Sequence, residues 1–221
     1  FLSCTSVLER FTAPLCDSLM QVYMEGGGGV RGTQQEGSIL FPDSESILNY
    51  LDQANIFLVP LDHERIWYRY HHLFADLLQA RLHQTHSRMV PDLHKNAAEW
   101  LESEGYIHEA INHLLKAQAF DLAALMVERH GPMRLAENDP SILYMADRLP
   151  REIILSRPKI ACYLAYLLII RSRIGDAIPL LRVLTDPVIS NPTGGTSWIQ
   201  SVAETAMAFL APTPHLERFK L

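Results

Sequence analysis

The sequence predicts a mainly helical protein that carries one β-hairpin. Along most of the 221 residues, apolar side chains recur every three or four positions, which is the period of a helix packed on one face. Residues 56–70 break this pattern, because two short apolar or aromatic runs flank a polar turn there. Apolar residues make up 48% of the chain and charged residues 20%, so a folded core is expected rather than a disordered tail.

The first 20 residues are predicted to form two short helices. Thr12 is placed to cap the second helix, and Pro14 is tolerated only in its first turn. The residues expected to face a core are Leu8, Phe11, Leu15 and Leu19.

A glycine-rich loop is predicted next, at residues 26–37. Four consecutive glycines and the polar stretch after them lack apolar periodicity and have much backbone freedom. A phosphate-cradling role is the sharper alternative, but a P-loop ends in Gly-Lys-Ser or Gly-Lys-Thr before a helix, and that ending is absent. The loop is therefore interpreted as a linker.

The hairpin lies between two predicted helices. Ser44 is placed to cap a helix that runs through Ala54, with Ile47, Leu48 and Leu51 on one face. After the hairpin, an aromatic strand at residues 67–70 leads directly into an amphipathic helix, with His71 and His72 at the junction.

The remaining segments are predicted to be helical hairpins. Pro91 opens a helix that Gly105 closes, with Leu93, Ala97, Trp100 and Leu101 on its buried face. Residues 106–118 continue at helical spacing, and a further helix from Phe120 to His130 should stop at Gly131-Pro132. The triplet Glu109-Ala110-Ile111 recurs 67 residues later as Asp176-Ala177-Ile178, close to two tetratricopeptide-type periods. An apolar helix is expected at residues 159–172.

Three stretches carry a resemblance to a known family. They are Thr5-Ser6-Val7-Leu8-Glu9-Arg10, Asn55-Ile56-Phe57-Leu58-Val59-Pro60-Leu61-Asp62 and the box His71-His72-Leu73-Phe74. Together they resemble the winged-helix part of STAND-class signalling ATPases, closest to the maltose-regulator-like branch of ATP-dependent LuxR-type transcription regulators. The resemblance implies a winged-helix domain at residues 1–86, a helical arm at 87–131 and an incomplete tetratricopeptide-like sensor region at 132–221. The glycine-rich loop is an insertion relative to that family.

The resemblance implies a nucleotide-contacting role for His71 alone. His71 aligns with the histidine of a Met-His-Asp box, with Tyr70 in place of the methionine and His72 in place of the aspartate. In the family that histidine contacts the phosphates of bound ADP and helps to hold a closed, inactive state. An imidazole at a helix N-terminus suits such an anion. The alternative is that His71 or His72 only caps the helix or packs under the wing.

Charge argues against nucleic acid as a direct partner. Residues 1–90 contain ten acidic and six basic residues, and the first lysine is Lys95. A DNA-binding winged helix should present Lys and Arg to phosphates. Trp67, Tyr68 and Tyr70 could stack on bases, but single-strand binders surround such rings with positive charge, which Arg65 and Arg69 supply only sparingly. Core and interdomain packing is the better interpretation of these aromatic residues.

The other functional classes lack their motifs. His83 and His86 are three residues apart, but no His-Glu-x-x-His motif or supporting cysteine pair exists, so a metal site is not expected. No nucleophile-elbow serine or other catalytic constellation stands out, so the fragment is not expected to be an enzyme. Three cysteines without metal spacing, no signal peptide and no apolar run long enough for a bilayer favour a cytoplasmic location without membrane partners.

The sequence therefore predicts a regulatory and sensor segment of an ATP-dependent transcription activator. The resemblance places an ATPase domain upstream of Phe1 and a DNA-binding domain downstream of Leu221. ADP or ATP would be the cofactor of the full-length protein, and none is expected in the fragment. The expected partners are the upstream ATPase domain and a small-molecule or protein inducer, with self-association on activation. The alternative is a helical-repeat adaptor that binds a protein in the groove of its hairpins.

Overall fold

The structure is a computed structural model that describes residues 1–25, 43–136 and 141–185. Within these ranges the chain is mainly helical with one two-stranded antiparallel hairpin, which confirms the predicted fold class. The glycine-rich loop at 26–37 and the part of the sensor region after residue 185 lie outside the described residues.

The chain divides into two compact units. The first is Phe1–Ala119, and the second begins at Phe120. The predicted boundaries at residues 86 and 131 remain predictions.

The described part of the first unit contains the hairpin and six α-helices. These elements are α1 (Leu2–Thr5), α2 (Ala13–Glu25), α3 (Ser44–Gln53), β1 (Leu58–Pro60), β2 (Tyr68–Tyr70), α4 (His72–His86), α5 (Val90–Ser103) and α6 (Ile107–Lys116). A single 3-10 turn, Ser87–Met89, joins α4 to α5. Helix α5 packs against both α2 and α6, so the core of this unit lies along α5.

Polar side chains set the starts of α2 and α3. The Leu15 backbone N–H donates to Thr12 Oγ1 at 3.4 Å, as expected for the second helix. The prediction that Ser44 caps α3 was wrong. Asp43 is the cap, because its carboxylate accepts a 2.7 Å bond from the Ser46 N–H, and Ser44 is the first helical residue and is buried.

The hairpin gains a third partner from the N-terminal segment. Strand β1 pairs with β2 so that Leu58 lies opposite Tyr70. On the edge of β2 that does not face β1, Tyr68 exchanges two backbone hydrogen bonds with Phe11, at 2.8 and 2.9 Å. The alternation of β2 buries Tyr68 and Tyr70 and exposes Arg69. The four predicted core residues of the N-terminal segment, Leu8, Phe11, Leu15 and Leu19, are all buried.

The helix pair α5–α6 follows the predicted pattern except at Trp100. Leu93, Ala97 and Leu101 are buried, but Trp100 is only half-buried. The buried face of α5 also includes His94 and Ala98, because α5 packs against both α2 and α6. Trp100 therefore lies at the edge of this buried face.

The second unit is built around one apolar helix. Its elements are α7 (Phe120–Ala136), α8 (Ser141–Ala146), α9 (Arg151–Ser156), α10 (Pro158–Ile170) and α11 (Ile174–Thr185). Helix α10 is buried along most of its length and contacts the other four. The guanidinium of Arg157 donates to Asp121 at 3.1 Å and to Glu128 at 3.4 Å, which fixes the start of α10 on α7.

The predicted stop at Gly131-Pro132 was wrong, because α7 continues to Ala136 with Pro132 inside it. Proline removes one hydrogen bond and crowds the carbonyl four residues earlier, which kinks a helix but does not always end it. Pro132 is exposed, so its ring does not disturb the packed face of α7.

Helices α5 and α10 end with the same backbone hydrogen bonds at an offset of 67 residues. In the first, the Gly105 N–H donates to Glu102 O and the Tyr106 N–H to Leu101 O. In the second, Ser172 and Arg173 donate in the same way to Ile169 and Leu168. Gly105 and Ser172 both have positive φ, as required at this type of helix end. The two helix ends thus share one backbone geometry at the 67-residue offset, and the same geometry also ends α3 at Asn55 and α6 at Gln118.

Candidate functional site

His71 occupies the junction between β2 and α4. It is the N-cap residue of α4, and its backbone N–H donates to Phe57 O at 2.8 Å. Its carbonyl accepts bonds from the N–H groups of Phe74 and Ala75, both at 2.9 Å. The imidazole makes no capping hydrogen bond and is exposed. The backbone of His71 is therefore fixed, whereas its side chain is available to a ligand.

The strand before His71 is anchored in the core of the unit. Tyr70 Oη lies 2.7 Å from Thr5 Oγ1, and its ring lies 4.7 Å from the ring of Phe11. Burial raises the pKa of the Tyr70 hydroxyl above its ordinary value, so the hydroxyl stays protonated. On the other side of the junction, the ring of Phe74 stacks on Phe57 at 4.9 Å. These contacts set the position from which the imidazole of His71 projects.

The surroundings of His71 suit an anion. The rings of His71 and His72 lie 4.3 Å apart, and both are exposed. Arg69 is exposed on the side of β2 opposite the buried tyrosines, and no described residue pairs with it. The N-terminus of α4, a helix of 15 residues, adds backbone N–H groups and a favourable dipole. The junction thus offers two exposed imidazoles and the amides of a helix N-terminus to an anion, and Arg69 lies two residues before His71 in the sequence.

An apolar surface lies beside His71, and sequence reasoning did not identify it. Leu73 and Leu77 are one helical turn apart on α4 and are 66% and 64% exposed, while Phe57 is 57% exposed. The packed face of α4 instead carries Leu78 and Leu82. We call Leu73, Leu77 and Phe57 the α4 ridge. The sequence did contain a signal for this ridge. The leucines of the predicted helix lie on two different faces, and a helix that buries a single face leaves one of these sets exposed.

The aromatic residues of the hairpin pack inside the first unit. Tyr68 and Tyr70 are buried, so their rings are not presented to bases. The half-buried Trp67 ring stands 4.1 Å from the guanidinium of Arg10 and 5.2 Å from the ring of Tyr106. The hairpin is thereby joined to the N-terminus of α6.

A buried histidine pair is a second titratable feature that the sequence pattern did not indicate. Nδ1 of His94 on α5 lies 2.8 Å from Nδ1 of His113 on α6, and both side chains are buried. Burial, with Lys116 and His83 nearby, lowers the pKa of His94 to about 4. Burial, with His94 and Lys116, lowers the pKa of His113 to about 3, against a smaller opposing effect of Glu9. Both rings are neutral at pH 7, one as donor and one as acceptor.

Neither a metal cluster nor a reactive thiol is found in the described part of the chain. No group of three or more histidine, cysteine or acidic residues there could hold a metal ion. Cys4, Cys16 and Cys162 are free and buried, and burial raises the pKa of each thiol. No helix among the described residues has the length and apolar character needed to cross a membrane.

This chain is similar to parts of longer proteins from two differently named groups. A family model described as the MalT winged helix domain matches residues 1–90. The serine/threonine-protein kinase PknK of Mycobacterium tuberculosis is 29% identical over 142 residues, which is 63% of this chain and 13% of that protein. The HTH-type transcriptional regulator MalT of Vibrio parahaemolyticus is 30% identical over 169 residues, which is 76% of this chain and 16% of that protein. The chain thus spans only 13 to 16% of the length of these curated relatives.

Proposed function

We propose that this chain, whose residues 1–90 match the MalT winged helix domain model, is a regulatory and sensor segment of a larger ATP-dependent transcription activator. In this role the first unit responds to the nucleotide held by an ATPase domain of the same protein. The helical hairpins after residue 132 sense an inducer, which is a small molecule or a protein. Activation leads to self-association and to DNA binding by a domain elsewhere in the protein.

The observation that carries this proposal is the exposed His71 imidazole on an anchored strand-to-helix junction. An imidazole that only capped α4 would bond to the first-turn N–H groups, and His71 makes no such bond. The Phe57 and Tyr70 contacts hold the junction in place, so little ordering is needed when a phosphate arrives.

In this proposed role, His71, Arg69 and the first turn of α4 contact the diphosphate of ADP. The negatively charged phosphates of the nucleotide, which the ATPase domain binds, also contact the winged helix and so link the two domains. His71 donates a hydrogen bond to a phosphate oxygen, Arg69 balances its charge, and the α4 dipole favours its approach. These interactions exist only in the closed arrangement, so they shift the population toward it.

The α4 ridge supplies the apolar part of the same contact. Leu73 and Leu77 are exposed to solvent, which is unfavourable for a group of large apolar side chains. An apolar patch with polar residues beside it is typical of an interaction surface. The ATPase domain would cover Leu73 and Leu77 in the closed state and release them when the nucleotide changes. The ridge would then be free for self-association.

A kinase output is the second candidate. One relative is named a serine/threonine-protein kinase and another an HTH-type transcriptional regulator, although both share this segment at similar identity. A segment shared by a kinase and a transcriptional regulator is more consistent with a regulatory role than with kinase activity or DNA binding by the segment itself. The complete reading frame distinguishes the two, because it encodes a helix-turn-helix after Leu221 in the first case and a kinase domain in the second. A P-loop before Phe1 is expected in both.

The test uses the full-length protein with His71→Ala. We expect ADP affinity to fall about ten- to a hundredfold, as for the loss of one charge-assisted hydrogen bond, and basal activity to rise. His63→Ala is the matched control, because His63 is also exposed but lies in the hairpin turn. Equal ADP affinity of the wild-type and His71→Ala proteins, measured by calorimetry, would remove His71 from the nucleotide site.

A further inference from the structure

Phe57 is held in a backbone conformation that is unfavourable for a bulky residue. Its φ is +52°, in the left-handed region where the side chain of an L-residue crowds the backbone and where glycine has no such penalty. The other non-glycine residues with positive φ in the described part of the chain are polar or charged, and they are Asn55, Arg65, Gln118 and Ser172. The side chain of Phe57 is also largely exposed, at 57%. Neither backbone preference nor burial therefore accounts for a phenylalanine at this position.

Phe57 and Phe74 each bind the backbone of His71. The Phe57 carbonyl accepts a 2.8 Å bond from the His71 N–H, and the Phe74 N–H donates to the His71 carbonyl at 2.9 Å. The two phenylalanine rings stack at 4.9 Å with 23° between their planes. Phe74 also meets the ring of the buried Tyr70 edge-on at 5.8 Å. We call Phe57, Phe74 and the backbone of His71 the His71 clamp.

Phe57 belongs both to the His71 clamp and to the α4 ridge. Leu58, the first residue of β1, pairs with Tyr70. The bond from the His71 N–H to Phe57 therefore extends the hairpin by one residue pair. The other two residues of the ridge lie on α4 itself. A partner that covers the ridge thus touches a side chain whose own carbonyl holds the His71 N–H.

We propose that Phe57 couples contact on the α4 ridge to the position of His71. The ATPase domain that covers the ridge in the proposed function holds the Phe57 ring against Phe74, and this contact offsets the strain of the Phe57 backbone. The carbonyl of Phe57 then keeps the His71 N–H, and the imidazole keeps its position for the phosphate. When the ridge is uncovered, the strain is no longer offset by that contact, so the population with a negative φ at Phe57 and a released His71 rises.

Phe57 is a positioning residue in this scheme, because it acts on the nucleotide through His71. The coupling is reciprocal, since a nucleotide bound by His71 stabilises the same strained conformation that favours contact on the ridge. The inference rests on the proposed nucleotide role of His71 and adds the means by which the ridge and the nucleotide site affect each other. Two experiments separate the clamp, which this chain contains, from the nucleotide role, which requires the full-length protein.

The first experiment measures amide hydrogen exchange at His71 in the 221-residue chain by NMR. Phe57→Ala keeps the backbone strain but removes the ring, so it should accelerate exchange of the His71 amide on the order of tenfold through local opening. Phe57→Gly removes the ring and the strain together and should accelerate it less, by about two- to threefold. Phe57→Tyr keeps the ring and should restore the wild-type rate. Ser172→Gly relieves a positive φ in the second unit and is the matched control, which should leave His71 unchanged.

Two results of this experiment would overturn the clamp. An unchanged exchange rate at His71 in Phe57→Ala would show that Phe57 does not hold the junction. A greater acceleration in Phe57→Gly than in Phe57→Ala would show that backbone strain is not what opens it.

The second experiment measures the ADP affinity of the full-length protein by calorimetry. Phe57→Ala should weaken ADP binding about three- to tenfold, and it should have no further effect in a His71→Ala protein, because it acts through His71. Leu77→Asn, which changes the ridge outside the clamp, should weaken ADP binding about two- to fivefold. Combined with Phe57→Gly, it should have no further effect, because glycine needs no contact to hold a positive φ. Leu61→Asn is the matched control, since Leu61 is an exposed apolar residue outside the ridge, and it should leave ADP affinity unchanged.

The outcomes distinguish this inference from the proposed function. If His71→Ala leaves ADP affinity unchanged, the nucleotide role fails, whereas faster exchange at His71 in Phe57→Ala would still support the clamp. If His71→Ala weakens ADP binding but its effect and that of Phe57→Ala add, Phe57 does not act through His71. An equal effect of Leu77→Asn with phenylalanine and with glycine at position 57 would show that ridge contact is not transmitted through Phe57.

Discussion

Arg10 and Glu109 form a two-pronged ion pair although they are 99 residues apart in the sequence. The Arg10 guanidinium also stands 4.1 Å from the centre of the Trp67 ring and 5.1 Å from that of Tyr106. One side chain thus joins the N-terminal segment, the hairpin and α6. The family match ends at residue 90, but the compact unit continues to Ala119, and this contact is one reason why α6 belongs to it.

The first prediction concerns the stability contributed by Arg10. Arg10→Ala should lower the free energy of unfolding of the first unit by about 1 to 2 kcal/mol, because it removes both an ion pair and a contact with two rings. The value is modest, since both charged side chains are about one-third exposed and solvent screens them. Chemical denaturation followed by circular dichroism measures it.

A double-mutant cycle with Glu109→Gln isolates the pair. The coupling between positions 10 and 109 should be about 0.5 to 1 kcal/mol. Arg65→Ala is the matched control, because Arg65 of the hairpin turn pairs with Asp52 of α3 and is itself more exposed than Arg10. Strict additivity of the two substitutions would show that the Arg10–Glu109 pair contributes nothing.

Local patterns predicted the helices and the core residues of this chain better than its long-range contacts. Leu15 and Leu19 were identified as core residues from helical spacing alone, because that spacing fixes which side chains share a face. The Arg10–Glu109 pair and the His94–His113 pair could not be found in this way, because each depends on how two separate elements pack. His71 was located at the correct strand-to-helix junction, but the exposed Leu73 and Leu77 beside it depend on which face of α4 is buried.

The second prediction follows from the correction at Trp100. Trp100→Ala should lower the free energy of unfolding by about 1 to 2 kcal/mol, whereas Leu101→Ala should lower it by about 2 to 5 kcal/mol. Trp100 is only half-buried, but Leu101 is fully enclosed between packed helices. Urea denaturation midpoints of the two variants give the comparison. A greater loss at Trp100 than at Leu101 would contradict the packing described for α5.

The third prediction is a loss of stability in mild acid. The pKa values of His94 and His113 in the folded protein, about 4 and about 3, lie below the value of 6.5 for an unfolded histidine. The unfolded chain therefore binds protons first, so the stability is fully present above pH 6.5 and declines as the pH falls from there toward 4. Between pH 7 and pH 5 the decline should be about 1 to 2 kcal/mol for each histidine.

Substitution of the pair tests its share of this pH dependence. The double variant His94→Leu, His113→Leu removes both titrating rings together and leaves no unpaired nitrogen, so its stability should vary less with pH than that of the wild type. His83→Gln, at an exposed position on α4, should keep the wild-type slope. The same slope in the double variant and the wild type, measured by thermal unfolding from pH 5 to pH 7, would remove the pair as the cause.

The last prediction is that this chain alone does not bind duplex DNA. A winged helix reads DNA by placing a helix in the major groove and cationic side chains on phosphates. Helices α1, α2 and α3 contain no lysine or arginine, and α3 carries Glu45 and Asp52. In the hairpin, Arg65 is paired with Asp52, and Arg69 is a cation for which the described residues show no partner. A mobility-shift experiment with a duplex at low salt, where phosphate contacts are strongest, should therefore show no complex at micromolar concentrations of the chain. Salt-sensitive micromolar binding would contradict the charge argument and would make the winged helix itself a DNA-binding module.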